Sequence, residues 1–253
     1  MRLAIDFEAE VADPVITGLD VTAFQHGDLV NLILQRSEVL WDFNKPGAII
    51  RSWNNGDMAP INAAVDRLGE DIARRAAAVI HAEFRSLAPV LSQIPMARIA
   101  DIGCGYAFFD LFAAKEYGCE VVLIDLEQNE RRHFGFQSDG AAYTSLDVAR
   151  KMMVRNGISD QSIRALNPGK DDLTTCSDID LAVSFLSCGF HYPVDSYIAF
   201  FENSVGKNGS VILDLRAGKS GEQLVALAGI GSISYLSAPP KAKRAFLRKS
   251  EAA

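Results

Sequence analysis

The sequence lacks the marks of several protein classes. Its four cysteines, Cys104, Cys119, Cys176 and Cys188, include no pair in Cys-x-x-Cys spacing. That pattern supplies neither a disulfide frame nor a zinc site, and fits the reduced thiols of a cytoplasmic protein. Positive charge is in deficit: 25 lysines and arginines face 32 aspartates and glutamates, a net charge of −7. A nucleic-acid groove ordinarily needs a basic surface, so nucleic acid is not an expected partner. No apolar run approaches the length of a membrane span. Asp6 and Glu8 stand where a signal peptide needs an apolar stretch. Repeats and low-complexity tracts are absent. What the chain does have is apolar bulk: 49% hydrophobic against 23% charged residues, enough to bury a full core.

The most informative stretch is Arg98-Ile-Ala-Asp-Ile-Gly-Cys-Gly-Tyr-Ala-Phe-Phe109. An apolar run, 99–102, reads as a strand with Asp101 set inside it. Gly103 and Gly105 then punctuate a tight turn, and residues from Phe108 onward read as a helix. Strand, glycine turn and helix together have the shape of a nucleotide-binding loop. Glycine permits backbone angles that other residues avoid and lets a ligand approach the main chain. The helix start adds free N–H groups. A second apolar run, 120–124, ends in Asp125, twenty positions after Gly105. That interval holds one helix and one strand, so two parallel strands can lie side by side. Asp125 then falls at the carboxyl end of the second strand, where an acid accepts hydrogen bonds from ribose hydroxyls.

Before this stretch the pattern is helical. Residues 28–41 form an amphipathic helix, 43–47 break it, and 53–60 make a loop of turn formers led by Trp53. Residues 61–91 read as a long helix broken near Pro89. Residues 1–95 are therefore expected to form a helical N-terminal extension that covers one sheet face and helps wall a substrate site. Residues 96–253 are expected to form the sheet domain. Strands are expected at 98–102, 120–125, 162–166, 180–186 and 210–216, with helices at 107–117, 145–156, 194–205 and 219–228. Residues 232–237 and 242–248 read as a closing hairpin. The polar segment after Asp125, up to Tyr143, is long for a βα loop, and such loops often carry function.

These residues resemble the class I S-adenosylmethionine-dependent methyltransferases. The likeness rests on Asp101-Ile-Gly-Cys-Gly-Tyr-Ala107, on Asp125, and on the closing hairpin, and covers roughly residues 96–253. Nicotinamide-binding folds share the first turn but want a glycine where Phe108 stands. The resemblance implies an α/β, Rossmann-like, doubly wound and mostly parallel seven-stranded sheet ending in an antiparallel hairpin. It implies S-adenosyl-L-methionine as cofactor. Asp101, Gly103, Cys104, Gly105 and Tyr106 would lie under its amino-acid end. Asp125 would take the ribose hydroxyls, Asp171 or Asp172 the adenine amine, and Leu126 and Leu173 the adenine ring. A narrower resemblance, to bacterial sugar O-methyltransferases, rests on His133-Phe-Gly-Phe136, on 140–146 and on Gly189-Phe-His-Tyr-Pro-Val-Asp-Ser-Tyr197. It implies methylation of a sugar hydroxyl in a cell-surface glycan or glycosylated metabolite.

A sugar hydroxyl is a poor nucleophile, and a base that removes its proton during attack would help. His191, five residues beyond the fourth strand, is the first candidate, since histidine titrates near neutrality. Its competing reading is a structural hydrogen-bonder in an aromatic turn. His133 is the rival base. Tyr143, Tyr192 and Trp53 are candidate acceptor contacts, though packing explains each as well. The exit of the fourth strand offers no acid before Asp195, so no metal is expected. The exit also lacks the Asn/Asp-Pro-Pro-aromatic turn of DNA amino-methyltransferases. The alternatives are a small-molecule N- or phenol O-methyltransferase and a non-catalytic methyltransferase-like binding protein. A small-molecule or glycan acceptor is the expected partner, and a homodimer stays open.

Overall fold

Short runs of aliphatic and β-branched residues, apolar on both faces, build a sheet that must be covered on both sides. The computed structural model describes residues 5–127 and 144–249. Its strands are β1 (Arg98–Ile102), β2 (Glu120–Ile124), β3 (Ile163–Leu166), β4 (Ile179–Ser184), β5 (Val205–Arg216), β6 (Gly231–Leu236) and β7 (Ala242–Lys249). Their order is β3-β2-β1-β4-β5-β7-β6. β1 to β5 are parallel, and β7 runs antiparallel to both β5 and β6. This is the seven-stranded, mostly parallel sheet with a terminal hairpin that the sequence leads one to expect. The chain winds outward from β1 to β3 on one side and from β4 on the other. The order therefore reverses between β1 and β4, and a crevice opens at their carboxyl ends, the place where such sheets bind ligands.

Ten α-helices surround the sheet among the described residues. α1 (Phe7–Val11), α2 (Pro14–Thr17), α3 (His26–Gln35), α4 (Pro46–Asn54), α5 (Ala59–Leu68) and α6 (Asp71–Leu91) precede it. α7 (Phe108–Tyr117), α8 (Leu146–Arg155), α9 (Ile198–Asn203) and α10 (Ser220–Ala228) are interleaved with its strands. Alternation along β1 splits the core in two. Ile99 joins a cluster containing Ile33, Leu40, Ile72, Phe108 and Leu111, so the N-terminal helices and one sheet face share a continuous apolar interior. Ala100 and Ile102 join the opposite cluster, with Phe201, Val211 and Leu227. Asp101, being two residues from Ile99, faces the side of α7.

Three local expectations are corrected. The helix expected over 28–41 ends at Gln35, and a separate 3₁₀ turn, Ser37–Leu40, follows. Arg36 leaves helical geometry at φ −133° and sends its guanidinium to Glu83 on α6. The loop expected at 53–60 is partly helix: α4 starts on Pro46, whose fixed φ suits a first helical position, and runs through Trp53. The long helix breaks at Gly69 (φ +52°), and Pro89 is absorbed in the last turn of α6. Pro89 removes one helical bond, to the Arg85 carbonyl, with only two helical residues left to follow it, whereas a residue at positive φ cannot be passed without a break.

Candidate functional site

The first wall of the crevice is the exit of β1. Gly103 adopts φ +74° and its N–H donates to the Ile124 carbonyl at 2.7 Å. A Cβ at Gly103 would lie 1.9 Å from Ser187 Oγ, so only glycine lets the β1 and β4 exits close on each other. Gly105, at φ +56°, donates its N–H to Asp125 Oδ2 at 3.1 Å. Thr144 Oγ1 donates to the Gly105 carbonyl at 2.6 Å. The other oxygen of Asp125 accepts from the Glu127 N–H at 3.1 Å. Asp125 is half-buried, and burial pushes its carboxyl up to about 6 despite these backbone donors.

Beneath this wall lies a second pair of acids. Asp101 and Asp110, the latter in the first turn of α7, are both buried. As two carboxylates they would leave Asp101 Oδ1 and both Asp110 oxygens without a donor. One shared proton relieves that: Asp101, raised by burial and by the neighbouring Asp110, keeps it and donates to Asp110. Asp110 is also pushed up, by burial.

The β4 exit forms the second wall. Ser184 Oγ donates to the Ile102 carbonyl at 2.6 Å and accepts from the Cys188 N–H at 2.9 Å, tying the two exits together. The backbone N–H groups of Phe190 and His191 both donate to the Ser187 carbonyl, at 3.0 and 2.8 Å. Gly189 turns at φ +84°, and its carbonyl accepts from Gln223 Nε2 at 2.8 Å and from the Arg216 N–H at 2.9 Å. The loop that carries His191 is thus held from three sides.

Between these walls is a cavity of about 540 Å³, within the usual range for small-molecule sites. Asp101, Gly103, Cys104, Gly105, Asp125 and Leu126 line one part of it, and Ser187, His191 and Tyr192 another. Tyr106 also lines it, but its hydroxyl belongs to α3, donating to Asp28 at 2.8 Å and accepting from Asn31 Nδ2 at 3.1 Å. Tyr192 is buried.

Other expected residues stand elsewhere. Asp171, Asp172 and Leu173 do not line the cavity. Asp171 Oδ2 accepts from the Asn167 N–H at 2.7 Å, and Asp172 Oδ1 caps the next turn at the Thr174 N–H, 2.9 Å away. One oxygen of each carboxylate thus shapes the β3 exit. Trp53 packs against the core on α4, outside the lining. His133 and Tyr143 fall outside the described residues.

Several lining residues were not anticipated: Thr144, the pair Arg36 and Glu83, and Arg216. Arg216 had a signal, a charge as the last residue of an apolar parallel strand. Arg36 and Glu83 had none, because their pairing depends on how α3 and α6 cross. Among the described residues no group of three or more His, Cys, Asp or Glu is placed to hold a metal, and no helix is long and apolar enough to cross a membrane.

No family model and no curated protein matches the chain. Solved structures do. A Nostoc punctiforme protein designated an O-methyltransferase is 13% identical with TM-score 0.46, over 68% of this chain and 59% of that one. A TehB-like SAM-dependent methyltransferase from Corynebacterium glutamicum is 16% identical with TM-score 0.43, over 69% of this chain and 98% of that one. A geranyl diphosphate C-methyltransferase from Streptomyces coelicolor, in complex with Mg²⁺, geranyl diphosphate and S-adenosyl-L-homocysteine, is 10% identical with TM-score 0.48. The match covers 73% of this chain and 84% of that one.

Proposed function

We propose that the chain is an S-adenosylmethionine-dependent methyltransferase whose acceptor is a sugar hydroxyl. One observation carries the cofactor: the Gly105 N–H meets the Asp125 carboxylate at the switch point of the sheet. Glycine loop and ribose-binding acid thus form one wall. The residues fit the group in one further way: Gly103 leaves a cradle in the cavity lining that any Cβ would fill. Asp125 would accept the ribose hydroxyls and Leu126 would contact the adenine ring. When bound, the cofactor supplies a sulfonium methyl for in-line displacement.

The protein's own part is orientation and proton transfer. His191 lies in the lining, on a loop fixed by two bonds to the Ser187 carbonyl and by ring contact with Phe190 at 5.2 Å. It is proposed to take the acceptor proton as the methyl transfers. Its position beyond β4 sets it across the crevice from the glycine loop. Isothermal titration with S-adenosylmethionine tests the cofactor: a flat titration sinks the assignment. Turnover is read as S-adenosylhomocysteine release over a panel of hydroxylated acceptors, with the new methyl located by NMR. His191→Ala is expected to lower the rate by about 10²- to 10⁴-fold with unaltered cofactor affinity. An unchanged rate removes His191 as base.

A further inference from the structure

Charged side chains form a seam along one sheet face, and it ends in the cavity with positive charge to spare. Deepest is Arg244 on β7, bidentate to Asp214 on β5 at 2.7 and 2.8 Å. Arg36 is bidentate to Glu83, both bonds at 3.0 Å. Each of these acids is therefore fully occupied by one arginine. Arg216 follows Asp214 by two positions, on the same face of β5, and lines the cavity with Lys241. Among the described residues neither forms an ion pair. Among the described residues, Glu38, exposed on the turn after α3, also lines the cavity and forms no ion pair.

Arg216 is held in a particular pose. Its Nε donates to the Phe190 carbonyl at 2.7 Å, and its guanidinium stacks on the Phe190 ring at 4.5 Å. With Nε used and one face covered, the two terminal amino groups remain as a preset fork, the geometry that receives a carboxylate or phosphate in bidentate fashion. Lys241 is brought alongside because its carbonyl accepts the Ala217 N–H at 2.9 Å. A half-buried guanidinium without a counter-charge is costly, and an anion entering the cavity would remove that cost. Phe190 also touches His191, so the fork lies one aromatic ring away from the proposed base.

We infer that Arg216 and Lys241 form an anion subsite in the acceptor part of the cavity, so that the acceptor carries a carboxylate or phosphate near its reacting hydroxyl. The inference rests on the methyl-transfer reading for what the subsite serves, but anion binding can be measured apart from it. Amide NMR shifts of the full chain, with and without S-adenosylhomocysteine, would be followed during titration with inorganic phosphate and with acetate at constant ionic strength. The expected result is a saturable shift around Phe190, Arg216 and Lys241 for at least one anion. The Arg216→Gln/Lys241→Gln double variant should bind it about tenfold or more weakly, and Arg216→Lys should keep part of the affinity. Response to phosphate alone assigns a phosphorylated acceptor, and response to acetate alone a carboxylated one. No saturable shift with either anion, or equal affinity in a double variant whose spectrum stays dispersed, overturns the subsite. S-adenosylhomocysteine shifts in the same samples report on the cofactor assignment separately.

Discussion

Asp125 meets two opposed requirements. In its proposed role, accepting both hydroxyls of a ribose, it would have to be ionised, yet burial pushes its carboxyl up to about 6. The folded chain therefore keeps this proton more tightly than the unfolded chain does. Its contribution to apo stability is present below the ordinary carboxylate range and is lost as pH rises through about 6. Cofactor affinity should run the other way. In the wild type, S-adenosylhomocysteine should bind progressively more weakly as pH falls below about 6, because a protonated Asp125 gives up an acceptor site. Asp125→Asn should bind about 10- to 100-fold more weakly at pH 8, the worth of hydrogen bonds to a charged group. It should also lose the slope, since nothing remains there to titrate. Calorimetry from pH 5 to 8 checks this, and a flat wild-type profile beside a sloping variant would refute it. Asp101 and Asp110, both raised, push apo stability in the same direction as Asp125.

Among elements, the decisive contact is between the β1 and β4 exits. Gly103→Ala puts a methyl at Ser187 Oγ and forces a left-handed conformation on alanine, at a cost of about 1–2 kcal/mol for the backbone alone. Ser187 must move, and with it the loop holding His191. Cofactor affinity and rate should fall together. Adding Ser187→Gly should restore room and part of the affinity, while the backbone cost stays. Gly56→Ala is the control: it also has positive φ (+86°) but no atom within 4 Å, so it should lower the melting temperature and leave cofactor affinity alone. Equal loss of cofactor affinity in both glycine variants would show that strain, not the Ser187 contact, matters. This loop and the parallel strands were readable in the sequence because apolar runs and glycines act locally. The break at Gly69 was obscured by Pro89, whose penalty depends on where the helix ends. The helix through Trp53 was hidden by turn-forming residues that fall at its edges.

At the scale of the molecule, the N-terminal section is part of the site and not only a cover for the sheet. Gln35 Oε1 would lie 3.0 Å from a Cβ at Gly105, and Arg36 and Glu83 both line the cavity. No local pattern announces this, since Arg36, just past the end of α3, and Glu83, on α6, lie 47 positions apart. The Arg36–Glu83 pair is largely buried, with side-chain exposures of 10% and 14%. Glu83 overcomes the effect of burial on Arg36, which stays charged. Removing one partner strands the other's charge, so Glu83→Leu or Arg36→Met alone should cost about 3–5 kcal/mol. Replacing both with apolar residues of similar size, Arg36→Met with Glu83→Leu, removes the desolvation problem and should be far less destabilising than the sum of the singles. Urea midpoints of the four proteins complete the cycle, and additive losses would show that the two residues do not act as a pair. Since the double variant leaves the glycine loop and Asp125 intact, it should also keep its affinity for S-adenosylhomocysteine. Loss of that affinity would mean that the pair, by setting where α3 meets the loop at Gly105, also positions the cofactor wall.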